Sequence, residues 1–439
     1  MKRKVIDCLI EWKNSFNREP ILLTGAKGVG KTYLAYDFAK SFFKQIVYVN
    51  FEREPESVKL FAASLSKGME DLTNRLLQPF QNQEDDIKDN GVQERILILD
   101  EISFCPEVLF LIQSKEIYKF FPFIIAISCS SHSKEETKNF IEIPIYPLEF
   151  DEFLIASSNE WYIEAICNHY EKNQKIPDIV HNELLALHEL YLKLGGMPGI
   201  INEYLNMSSL INIPEQHNQL ISSYRDYIKQ GFSDTDALKM NQVIDSLVLQ
   251  LVKENRKFQY KLIRKGTTHT MYKDAIQNLV DRNYIIQCNK INNEMLLKSR
   301  NKLIRWEAFY KEFLSDGHFK LYYPDTGLLY TKMVEEKGKS EIVNLLKPIL
   351  ENYIAQTLQT KGYPFGFWES DSTAKIDFVI IKDGNIVPME VHSNENTRSK
   401  SISILKENCD FPYAIKVSPK NFEYRNQVKY VPYYAAFCI

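Results

Sequence analysis

Residues able to do chemistry are concentrated at three places in this sequence. The first is Gly25-Ala26-Lys27-Gly28-Val29-Gly30-Lys31-Thr32, which fits G-x-x-x-x-G-K-[ST] without a gap. Glycines let successive backbone N–H groups turn inward around phosphate oxygens, and a helix starting at the same point adds partial positive charge. Lys31 is expected to reach β- and γ-phosphates, and Thr32 to place its hydroxyl on Mg²⁺. The second place is Asp100-Glu101. Asp100 is expected to hold Mg²⁺ directly or through water, and Glu101 to orient and deprotonate an attacking water. Ser128 or Ser130 can hydrogen-bond a γ-phosphate or that water, and the residues alone do not choose between them. Lys31, Glu101 and Ser128 are thus the expected catalytic set.

The third place is a late hairpin. Asp383-Gly384 stands between two apolar runs, Ile376–Lys382 and Asn385–His392, which is a strong two-residue turn signal. That turn sets Lys382 opposite Asn385 and Asp377 opposite Glu390, with His392 further along the same face, opposite Lys375. The rest of that face is apolar. Two carboxylates in contact there repel unless they share a proton or a cation, and Mg²⁺ held by oxygen ligands would resolve this. Glu351, on a helix expected over 341–361, is a third candidate ligand. The alternative is a purely structural site with the carboxylates solvated at the sheet end.

Elements must position these groups. Pro20–Thr24 reads as a short buried strand, and Thr32–Phe43, apolar at Leu34, Ala35, Phe38, Ala39 and Phe42, as the helix after the loop. Ile46–Phe51, Ile96–Leu99, Phe123–Ile127 and Ile141–Leu148 read as further strands. Ile96–Leu99 is apolar throughout, as in a parallel strand covered on both faces. Alternating strands and helices imply a doubly wound parallel sheet with ligands at the carboxyl ends of its strands, where Asp100, Glu101 and Ser128 fall. Helical pattern then runs from Leu148 to about Gln230, broken at Gly195-Gly196-Met197-Pro198. Residues 235–290 read as three helices and a short strand, the order of a winged helix.

Bulk properties set bounds. A chain of 439 residues is too long for one ordinary core. Its 44% apolar and 25% charged residues are a globular balance. No apolar run is long enough to span a membrane. The basic start Met1-Lys2-Arg3-Lys4 is interrupted by Asp7, Glu11 and Lys13, unlike a signal peptide. Seven scattered cysteines without C-x-x-C suggest reduced thiols in a cytoplasmic protein. A net charge of −3 excludes bulk nucleic-acid binding. However, residues 251–310 hold thirteen Lys/Arg against five Asp/Glu, so DNA is a candidate partner there, the alternative being a solvated basic face. Glu84–Glu94 is biased the other way and reads as an acidic loop.

Taken together, these residues resemble a prokaryotic family of AAA-type ATPases whose C-terminal domain of unknown function has a core like the restriction-endonuclease-like nucleases. The resemblance is carried by Gly25–Thr32, Tyr48–Glu52, Leu99-Asp100-Glu101, Pro147–Phe153, Gly195–Pro198, Lys320-Leu321-Tyr322, Asp325–Leu329, Glu351-Asn352-Tyr353, Ile376–Val379 and Pro388–Val391. It implies ATP and Mg²⁺ binding, slow hydrolysis, and a regulatory or defence-type role. Joined to the element pattern above, it gives an expected α/β fold: a P-loop doubly wound parallel sheet over 1–148, a helical lid over 149–230, a winged-helix-like module over 231–318 and a nuclease-like α/β domain over 319–439. An ATP-driven switch controlling the C-terminal part is the leading reading; an ATP-gated nuclease and a DNA-binding regulator are the others. In such ATPases a homo-oligomer can supply an arginine in trans, here Arg53 or Arg225. The chain departs from the nuclease pattern at His392, where the family usually has lysine, and at Lys375, where an acidic residue is common.

Overall fold

The computed structural model describes residues 2–16, 18–78, 94–114, 116–130, 132, 133, 135–293, 296, 314–370 and 373–439, without the side chains of 65–67 and 314–316. Most of the expected acidic loop, Ser131 and the basic stretch 297–313 lie outside the described residues. The backbone divides into two units, Met1–Tyr146 with Asp281–Asn283, and Pro147–Val280 with Tyr284–Ile439.

In the first unit five strands form one sheet: β1 Ile21–Thr24, β2 Gln45–Asn50, β3 Arg95–Asp100, β4 Phe123–Ile127 and β5 Ile141–Pro144. Their order is β2-β3-β4-β1-β5, and every pair is parallel. The interiors of β3 and β4 are buried at every position, which is why their sequences do not alternate. Helix Lys31–Phe42 buries Leu34, Ala35, Phe38 and Ala39, one face at helical spacing. Because β1, β4 and β3 are neighbours and parallel, the loop after β1, the residues after β4 and Asp100 at the end of β3 come to one edge. This is the edge at which open α/β sheets bind ligands.

Glycine is required at the start of the loop. Gly25 has φ +138°, and a Cβ there would lie 2.2 Å from the Ile145 carbonyl oxygen.

The second unit holds an eight-stranded mixed sheet in the order β12-β13-β11-β10-β9-β8-β6-β7. The strands are β6 Ile286–Ile291, β7 Leu314–Tyr322, β8 Phe365–Glu369, β9 Lys375–Lys382, β10 Asn385–Val391, β11 Ala414–Ser418, β12 Glu423–Arg425 and β13 Val428–Pro432. β9 and β10 pair antiparallel from Lys382–Asn385 to Phe378–Met389, the register the Asp-Gly turn predicts. Both turn residues have positive φ, +50° at Asp383 and +72° at Gly384.

The expected separate winged-helix module takes a different form. β6 and β7 do pair antiparallel, but β6 also pairs with β8, so the hairpin extends the large sheet. The expected boundary at 318/319 falls inside β7. Helices Asp234–Leu251 and His269–Asp281 and the turn Tyr260–Leu262 precede it, as the pattern suggested. Five helices from Phe150–Ala156 to Ile213–Gly231 occupy the stretch expected as a lid, and they belong to the same unit.

Several of the motifs singled out above meet in this unit. The Asp325 carboxylate, fully buried, accepts the backbone N–H of Gly196 at 2.6 Å, Gly327 at 3.0 Å and Leu328 at 3.2 Å. It thereby caps helix Thr326–Lys337 and anchors the Gly195-Gly196 turn. A Cβ on Gly195 would lie 2.0 Å from Asp325 Oδ1, on Gly196 2.2 Å from the Leu148 oxygen, and on Gly327 2.5 Å from the Leu194 oxygen. Helix Leu346–Thr360 joins the same network. Gln356 accepts from Thr326 N at 3.0 Å and donates to the Tyr191 hydroxyl, which donates to Leu148 O at 2.6 Å. Asn352 accepts from Tyr323 N at 2.8 Å. This network fixes the helix that carries Glu351.

Replacing Asp325 by Ala strands three buried N–H donors. We expect a loss of roughly 3–5 kcal/mol of unfolding free energy. Chemical denaturation followed by circular dichroism checks this, and a loss under 1 kcal/mol would show the carboxylate to be dispensable.

Candidate functional site

The phosphate loop and the end of β3 line one cavity of about 320 Å³, bounded among others by Gly28, Gly30, Lys31, Thr32, Tyr48, Arg53, Asp100 and Glu101. Gly28 and Gly30 adopt positive φ, +90° and +93°, turning the loop into the start of helix Lys31–Phe42. Thr32 Oγ1 donates to Asp100 Oδ2 at 2.8 Å. The Tyr48 hydroxyl reaches the same oxygen at 2.7 Å, and Asn50 Nδ2 at 3.3 Å. Burial pushes the Tyr48 hydroxyl up to about 12, so it stays protonated as a donor. A hydroxyl and a carboxylate oxygen facing one cavity are the hard oxygen donors Mg²⁺ takes, so Thr32 and Asp100 fit that ion.

Lys31 is buried and folds back on its own loop, donating to Gly25 O at 2.8 Å and Ala26 O at 2.9 Å. Lys27 pairs with Glu52 at 2.9 Å. Glu101 is in the left-handed region at φ +56°. Burial raises its carboxyl above the ordinary value while Lys31 pulls the other way. A carboxylate with raised proton affinity beside a phosphate-binding loop suits a general base.

A residue the sequence reading passed over stands between these two. Cys129 Sγ lies 3.2 Å from both Lys31 Nζ and Glu101 Oε1. Burial pushes its thiol up to about 12, so it is an uncharged donor to Glu101. Ser128, the expected third residue, is buried; its hydroxyl donates to Ser130 O at 3.0 Å and lies 2.9 Å from His132 Nε2. Parallel pairing of β4 beside β3 was the available signal, because residues after β4 then face those after β3. Arg53 lines the cavity of its own chain, and Arg225 pairs with Asp245 at 2.5 Å.

Two of the three carboxylates expected on the second-unit face, Asp377 and Glu390, border a cavity of about 320 Å³ with Arg256, Lys320, Lys347 and His392, and Glu351 lies buried behind it against the same cations. Glu351 is fully buried and meets Arg256 at 3.3 Å, Lys320 at 3.5 Å and Lys347 at 3.7 Å. Asp377 meets Lys347 at 3.4 Å and accepts Val391 N–H at 2.9 Å. Glu390 meets Lys416 at 3.1 Å and His392 Nε2 at 3.2 Å, and accepts from Ser399 at 2.6 Å. Burial pushes the Asp377 carboxyl up, but Lys347 and Lys320 outweigh it and hold it below the usual range. Glu390 is likewise held low, burial being outweighed by His392, Ser399 and Lys416. Lysines and an arginine therefore supply the compensation that the sequence reading gave to Mg²⁺. Among the described residues no three His, Cys, Asp or Glu side chains are grouped to hold a metal ion. Part of the basic excess of 251–310 is consumed here too, since Arg256 pairs with Glu351 and Lys257 with Glu369 at 2.5 Å.

Both depressed carboxyls contribute stability that is present above their unfolded values near 4 and lost as pH falls through the lower folded values. Lys416→Met leaves buried Glu390 without its lysine, so we expect about 3 kcal/mol of destabilisation at pH 7. The onset of acid unfolding should also move to higher pH, read from thermal melts across pH 2–7. An unchanged onset would show that Lys416 does not set the Glu390 charge.

Comparison with known proteins matches three stretches of the chain. Residues 17–154 match an AAA domain, 186–337 one domain of unknown function (DUF8612), and 346–436 another (DUF4143). No curated protein matches. Among solved structures, the chain is similar to the Walker-type ATPase PABY2304 of Pyrococcus abyssi at 15% identity and TM-score 0.44, covering 75% of this chain and 95% of that one. It is also similar to the Aeropyrum pernix ORC1 protein in complex with DNA, at 13% identity and TM-score 0.29, covering 77% and 92%. The S. cerevisiae Hsp104–ADP complex follows at 13% and 0.26, covering 81% and 43%. Likenesses this low carry no argument. No helix among the described residues is long and apolar enough to cross a membrane. Motif, parallel sheet and domain match agree that residues 17–154 form an AAA-type P-loop ATPase domain.

Proposed function

We propose that the first unit binds ATP with Mg²⁺, hydrolyses it slowly, and serves as a switch that controls the second unit. The contact of Thr32 Oγ1 with Asp100 Oδ2 at 2.8 Å is the observation that carries the reading, because it joins loop and β3 carboxylate at the point a Mg·nucleotide needs. The loop amides and Lys31 hold the phosphates, and bound Mg²⁺ neutralises phosphate charge. Lys31 must first leave the Gly25 and Ala26 carbonyls, whose place as acceptors the phosphates take. Glu101 accepts the proton of the attacking water. It is held back by the Cys129 thiol, which must release Oε1 first, and this favours slow turnover. Ser128 supports the end of β4, and Cys129 occupies the position facing Lys31 and Glu101. The cations around Glu351, Asp377 and Glu390 weigh against a metal-dependent nuclease in the second unit, so control of a binding surface is the better reading of what the switch does.

Titration calorimetry with Mg·ATP should show binding that Lys31→Ala weakens at least about 100-fold. Glu101→Gln should bind within about 3-fold of the parent and hydrolyse at least about 100-fold more slowly. Unaltered binding by Lys31→Ala sinks the nucleotide reading, and unaltered turnover by Glu101→Gln sinks the base assignment. Hydrogen exchange in 147–439 that ignores Mg·ATP would remove the switch.

A further inference from the structure

Two of the seven cysteines, far apart in sequence, come together in the second unit. Cys167 lies on helix Trp161–Lys172, and Cys438 ends the 3-10 turn Tyr433–Cys438. Their sulfurs are 3.8 Å apart across 271 positions of sequence, and both thiols are partly exposed. Every other described cysteine differs from this pair: Cys8 is exposed, and Cys105, Cys129, Cys288 and Cys409 are buried. We propose that Cys167 and Cys438 are an oxidation site, forming a reversible disulfide that ties helix Trp161–Lys172 to the Tyr433–Cys438 turn.

The surroundings divide the roles. Either sulfur can donate the bond between them; that contact lowers the Cys167 thiol, against burial and the nearby Asp151 and Glu171 carboxylates, with Lys361 on the side of the thiolate. The contact with Cys167, together with burial, pushes the Cys438 thiol up. Attack by Cys167 with Cys438 resolving is the order these surroundings favour, and the reverse order gives the same disulfide. With a peroxide as oxidant, the Cys167 thiolate attacks one oxygen and breaks the O–O bond. The departing oxygen takes a proton and leaves as water or alcohol, and Cys167 becomes a sulfenic acid. Cys438 then attacks the Cys167 sulfur. The S–O bond breaks, the hydroxyl leaves with the Cys438 proton as water, and the S–S bond forms. Two electrons pass from the thiol pair to the peroxide. A small-molecule dithiol returns them and restores both thiols. The sulfurs must close from 3.8 Å to about 2.05 Å, a shift that partly exposed side chains on a helix and a short turn can make.

Closing so long a loop removes unfolded-chain entropy, so the oxidised second unit should melt roughly 5 °C higher than the reduced one. The test treats the full chain with excess hydrogen peroxide at pH 7.5, traps free thiols by alkylation and maps the peptides by mass spectrometry. The expected result is a Cys167–Cys438 peptide 2 Da lighter than its two thiol halves, formed without reductant and lost with dithiothreitol. In Cys167→Ser the cross-link and the melting shift should both vanish, and Cys438 should stay alkylatable. In Cys438→Ser, Cys167 should instead be trapped as a sulfenic acid by dimedone. Wild-type peptide mapping keeps the proposal testable if either variant folds poorly. It is overturned if both thiols remain alkylatable after exposed Cys8 has been oxidised, or if Cys167 cross-links to any cysteine other than Cys438.

Discussion

One carboxylate without access to water, that of Asp325, sets the conformation of the second unit. It satisfies a helix N-terminus and a turn together, and both depend on glycine because the chain segments approach to within van der Waals distance. Burial pushes its carboxyl up to about 6, with the three N–H donors pulling it back. Desolvation on this scale is tolerated only where hydrogen bonds repay most of it. The Gly195-Gly196 turn, the Asp325-Thr326-Gly327 start and the Leu346–Thr360 helix are therefore one structural device, although more than 150 residues separate their ends. Glu351 inherits its position from that device through Asn352 and Gln356 of the same helix.

The first unit solves a different problem. Its sheet edge gathers polar groups that engage one another. Asp100 takes donors from Thr32, Tyr48 and Asn50, while Lys31 turns to loop carbonyls and a thiol. Each of these contacts uses the atom that phosphate or Mg²⁺ chemistry requires.

Much of this was legible in the sequence where local rules act alone. The loop motif, the unbroken apolar run before Asp100 and the Asp383-Gly384 turn gave β1 to β5 and the β9–β10 register to within a few residues, because periodicity and turn chemistry determine them. Less legible was anything set by pairing between distant segments. Strands β7, β8, β11, β12 and β13 are not apparent in the sequence, and the start of β6 reads as the one short strand of a winged helix because nothing in its own residues says that it pairs with β7 and β8. The role of Cys129 depended on strand order. Ser128 and Cys129 are adjacent, and only the β4–β3 pairing decides which faces Glu101.

The carboxylate face shows the same limit in electrostatic form. The hairpin pattern expects Asp377 and Glu390 at one sheet end with Glu351 near by, needing a shared proton or a cation, and the cations found there are side chains. Lys320 on β7, Lys347 one turn before Glu351 and Lys416 on the strand beside Glu390 supply that charge from three separate elements, with Arg256 as a fourth. A dication placed among them would face at least as many fixed positive charges as negative ones. Each lysine would have to withdraw into water before the carboxylates could turn to a metal, leaving its own ion pair broken. At this face the ammonium groups would compete with Mg²⁺ for the same oxygens, and His392 in place of lysine adds a ring nitrogen 3.2 Å from Glu390 Oε2. An interior already neutralised by its own side chains holds its shape without an ion, and breaking any one of its pairs would leave a buried charge uncompensated.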